Sequence, residues 1–178
     1  PHGIRPLAID FSDGAAVHAA LGTLTDQHQR LGVVYLDSSG NAAVAATPET
    51  TVKRCGALLH LAQALAATTA AVQLWVVTHA CQIIALDGRL APAAQTAQDS
   101  DRHLLTTASA SALWGLARTL AKEEPRLHCV AIDIGPDMAT EQAAALLYAE
   151  VMTGFGLAHT RPAPQEALDM QVAYQHQT

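Results

Sequence analysis

Short apolar runs rich in β-branched residues recur along this chain and alternate with stretches of helical periodicity. Four runs read as buried strands, at 7–9, 32–36, 72–77 and 127–134. Each is largely apolar, as expected for parallel strands covered on both faces. Helices are expected between and after them, at 15–29, 49–67, 106–124 and 140–154. In the second of these, Val52, Cys55, Leu59 and Ala62 recur at helical spacing beside Leu58, Leu61 and Leu65. Lys53, Arg54, His60 and Gln63 fall off that stripe, and Pro48 suits a helix entry. In the third, Leu113, Leu116, Ala117 and Leu120 form the stripe and Pro125 stops it. Strands alternating with helices, joined by right-handed crossovers, make an α/β fold: a truncated Rossmann-like open parallel sheet with helices on both faces. The stretch 85–105 reads as one long irregular connection with a turn at Asp87-Gly88. Residues 4–160 form a single domain in this reading. Residues 161–178 follow as a linker and a closing strand, at 170–174, toward a next domain.

The chain has 178 residues, half of them apolar, which is enough to bury a core of its own. Its net charge is -6, its only lysines are Lys53 and Lys122, and it has no basic run. Phosphate surfaces select clustered Lys and Arg, so neither nucleic acid nor an anionic membrane is an expected partner. No apolar run approaches the roughly 18 residues of a membrane-crossing helix. Cys55, Cys81 and Cys129 are too few and too scattered for a zinc motif; they read as small buried hydrophobes in a reducing cytoplasm. The first residue is Pro1 rather than methionine, so the chain is expected to be cut from a longer polypeptide.

A Rossmann-like sheet that binds a dinucleotide needs a glycine-rich turn between a strand and its helix. The nearest approximation, Gly154-Phe155-Gly156-Leu157-Ala158-His159, follows a helix instead and lacks the last glycine, so Gly154 reads as part of a helix C-cap. A short-chain reductase also needs Tyr and Lys four residues apart, the lysine holding the phenol ready for proton donation. Tyr35, Tyr148 and Tyr174 are followed at that spacing by Ser39, Met152 and Thr178. Ser38, His79 and Asp133 stand near strand carboxyl ends and leave open a small hydrolase, although G-x-S-x-G is missing. A nucleotide-binding module with an unorthodox loop is a further alternative. The nine histidines are scattered, with no pair at i, i+4 to share a metal. No catalytic, cofactor-binding or metal residue is therefore assigned. Trp75 reads as core. Trp114 precedes Gly115 inside a helix, where glycine costs about 1 kcal/mol and usually signals close approach of another backbone. Trp114 is thus either core or an interface anchor.

The segment from Ser111 through Leu113-Trp114-Gly115-Leu116-Ala117-Arg118 to Glu124-Pro125 resembles the helix signature of ketoreductase regions in modular polyketide synthases. The runs Val33 to Asp37, Leu58 to Leu65, Leu74 to Thr78, Cys129 to Asp133 and Gln171 to Tyr174 resemble that family's elements in order and spacing, over nearly the whole chain. In that family a first, truncated half is structural and a second half binds NADPH and reduces β-ketoacyl groups on an acyl carrier protein. The chain resembles the first half only, which implies no cofactor of its own and NADPH in the missing catalytic half. The implied partners are that catalytic subdomain and neighbouring synthase domains, with Trp114, Gly115, Val172 and Tyr174 as expected contacts. The sequence departs from the family at His79, often arginine, at Glu124, often histidine, and at Tyr35, usually tryptophan. The family's opening strand is expected to precede Pro1.

Overall fold

The computed structural model describes residues 9–25, 29–37, 47–79, 81, 97–135, 138–157 and 171–174. In chain order these form α1 (Gly14–Thr25), β1 (Arg30–Leu36), α2 (Pro48–Ala66), β2 (Ala71–His79), α3 (Ala97–Glu123), a 3-10 turn (Pro125–Leu127), β3 (Val130–Ile134), α4 (Thr140–Leu157) and β4 (Gln171–Tyr174). The fold is the expected α/β one, a truncated Rossmann-like open parallel sheet with helices on both faces.

The alternation of side chains along β2 divides the core. Val72, Leu74 and Val76 face α1, α2 and α3, and are packed with Leu58, Leu61, Leu65, Leu113, Trp114 and Ala131. Trp75 and Val77 face the opposite way and join Val130 and Ile132 under Leu147 and Val151 of α4. Both faces of β2 are therefore dry, which is why its sequence is continuously apolar.

The four strands stand in the sheet in chain order, all parallel. Every crossover thus steps in the same direction, and crossovers of one hand would all land on one face. The helices α2 and α3 do share a face, but α4 lies on the other. The β3–α4–β4 connection therefore has the opposite hand to the two before it. Since about 98% of such crossovers are right-handed, α4 makes the rare left-handed one, and the expectation of right-handed connections throughout fails here. A third right-handed step would have set α4 beside α3 and left Trp75, Val77, Val130 and Ile132 bare.

Other boundaries also move. Residues 7 and 8 of the first expected strand lie outside the described residues, and Ile9 is not in a strand. The helix α3 begins at Ala97, inside the stretch expected to be irregular. The strand expected from 127 begins at Val130, because Pro125–Leu127 form a 3-10 turn and His128 takes a left-handed conformation at φ 41°. Gly154 is not a cap: α4 runs through it to Leu157. A Cβ there would stand 3.1 Å from Trp75 Cζ2, so this glycine lets the helix settle on the tryptophan. The α2 stripe is rotated from the expected one. Leu58, Leu61, Ala62 and Leu65 are buried, whereas Val52 and Leu59, one strip further round the helix, are exposed. Thr47 opens α2 with a capping box, its hydroxyl accepting from Thr50 N while the Thr50 hydroxyl accepts from Thr47 N.

Candidate functional site

Open α/β sheets bind ligands outside the carboxyl ends of their strands, where the chains leaving two adjacent strands part toward opposite faces. The reversed crossover creates such a place between β2, which leads to α3 on one face, and β3, which leads to α4 on the other. Asp133, near the end of β3, is buried there. Its Oδ1 accepts hydrogen bonds from Thr78 Oγ1 at 2.7 Å and from the backbone N–H of Cys81 at 3.0 Å. The carboxylate ties the chain leaving β2 to β3 and bridges the crevice from within. Cys81 Sγ lies 3.6 Å from Ser111 Oγ of α3, extending the same contact to the helix layer.

A second polar cluster closes the carboxyl end of β1. The backbone N–H of Asp37 donates to Val77 O at 2.9 Å, carrying the β1–β2 pairing one residue past the strand. Its carboxylate faces Arg54 of α2, with Oδ1 3.7 Å from Nε and side chains only 1% and 10% exposed respectively. Arg54 Nη1 donates to Ser109 Oγ of α3 at 3.1 Å. Thr51 Oγ1 stands 2.9 Å from both Ser109 Oγ and Thr47 O. Thr51 has a single hydroxyl proton and the carbonyl can only accept, so that proton goes to Thr47 O and the Ser109 hydroxyl donates to Thr51. Donation thus runs from Arg54 through Ser109 and Thr51 to the Thr47 carbonyl, which accepts. Arg54 Nη2 is buried without a hydrogen-bond partner among the described residues. The Tyr35 hydroxyl donates to Arg54 O. Burial chiefly, then the charges of Asp37 and Cys55, push the Tyr35 phenol up to about 12, with Arg54 acting against them. Burial, then Asp37, raises the Cys55 thiol as well.

These positions bear on the residues singled out in the sequence. His79 and Asp133 do not come together: Asp133 is paired with Thr78 and His79 with Ile134, so the two side chains project from opposite faces of the sheet. That removes the base–acid contact a triad needs, and Ser38 lies outside the described residues. Trp114 is 7% exposed and belongs to the chain's own core. Gly115 is exposed, and a Cβ there would meet nothing within 4 Å, so no close backbone approach explains it. Val172 and Tyr174 lie in β4, opposite Ile132 and Ile134. Among the described residues no three His, Cys, Asp or Glu are placed to hold a metal, and no helix is long and apolar enough to cross a membrane. Arg54, set aside in the sequence because it falls off the apolar stripe, is the functional-site feature that periodicity missed. Its signal is spacing: Arg54 stands four, seven and eleven residues before Leu58, Leu61 and Leu65, the stripe that is buried.

A scan against models of protein families finds no match, and a search of curated proteins finds none either.

Proposed function

We propose that this chain is the non-catalytic structural half of a polyketide synthase ketoreductase. It packs on and steadies the half that holds NADPH and reduces β-ketoacyl groups carried by an acyl carrier protein. In this reading the chain binds no cofactor itself and works in the cytoplasm. It touches the catalytic subdomain and neighbouring synthase domains, and neither nucleic acid nor membrane. The observation that carries the reading is the Asp133 bridge to Thr78 and Cys81. At the crevice where a sheet of this kind would hold a ligand, the chain spends its carboxylate on its own backbone and hydroxyl. The fingerprint glycines and the Tyr–Lys pair are also missing from the sequence. With Trp114 buried, the proposed contact rests on β4, at Val172 and Tyr174, and on the exposed side of α3 at Gly115.

Two measurements test it. Adding the chain to a separately produced ketoreductase catalytic half should raise that half's melting temperature in a concentration-dependent way; an unmoved transition at saturating chain removes the scaffold role. Calorimetric titration of the folded chain with NADPH should give no saturable heat at millimolar cofactor. One-site binding would instead make the chain a cofactor-binding domain.

A further inference from the structure

We draw no further inference here: the strongest candidate, the polar cluster of Asp37, Arg54 and Ser109 at the carboxyl end of β1, belongs to the site already described, and nothing among the described residues shows what meets Arg54 Nη2 there.

Discussion

Arg54 shows how a single charge can organise the end of a sheet. Its guanidinium spans three elements, reaching Asp37 after β1 and Ser109 on α3 from its own place on α2. Removing one partner of a buried pair strands the other charge, which typically costs about 3–5 kcal/mol, whereas replacing both with apolar residues is often neutral. Asp37→Leu should therefore destabilise strongly, and adding Arg54→Met should restore most of the loss in urea melts; equal and additive losses would mean the two groups do not interact. Cys129 makes a second demand at this scale. Burial pushes its thiol from 9.0 up to about 12. The folded state thus keeps a proton that the unfolded chain has already released. This contribution is whole below the unfolded value and is lost as pH rises from about 9 toward 12. Tyr35, raised to about 12 from 10.0, adds to the same alkaline decline. Urea melts between roughly pH 8 and 11 should show stability falling with pH, and the slope should be shallower in Cys129→Ala.

Two helical glycines stand in different surroundings. Gly115 of α3 has open space around its missing Cβ, whereas Gly154 of α4 stands against Trp75. Alanine gains about 1 kcal/mol of helix propensity over glycine when nothing opposes it. Gly115→Ala should raise the melting temperature. At Gly154 the 3.1 Å approach to a fully buried indole must be relieved by shifting α4, so Gly154→Ala should lower it. The same pair marks how far the sequence could be read. Strand positions were legible because β2 and β3 are dry on both faces and so continuously apolar. The Gly154 role was not, because a glycine near a helix end looks the same whether it caps the helix or admits a tryptophan from a strand 79 residues earlier in the chain. Arg54 was hidden for a related reason. Periodicity reports the average side of a helix, and here Asp37 and Ser109, brought from distant segments, make the buried side hospitable to a charge. The hand of the last crossover leaves no mark in local pattern, since either hand needs the same strand, helix and strand.

That reversed crossover sets the balance of the whole molecule. The layer of α1, α2 and α3 shares one large apolar cluster with the sheet, while the opposite face holds Trp75, Val77, Val130 and Ile132 under a single helix. The central strand β2 lies between β1 and β3, with Val72 through Thr78 all buried. Local opening follows the density of buried apolar contact. Native-state hydrogen exchange should therefore find the amides of β2 and β3 opening only with global unfolding, and those of α4 opening at a distinctly lower free energy. In rising denaturant the α4 amides should keep a flat, low-energy isotherm before merging with those of β2. Coincident isotherms from the outset would mean that the Trp75–Gly154 contact couples α4 to the sheet as firmly as the larger cluster holds α2 and α3.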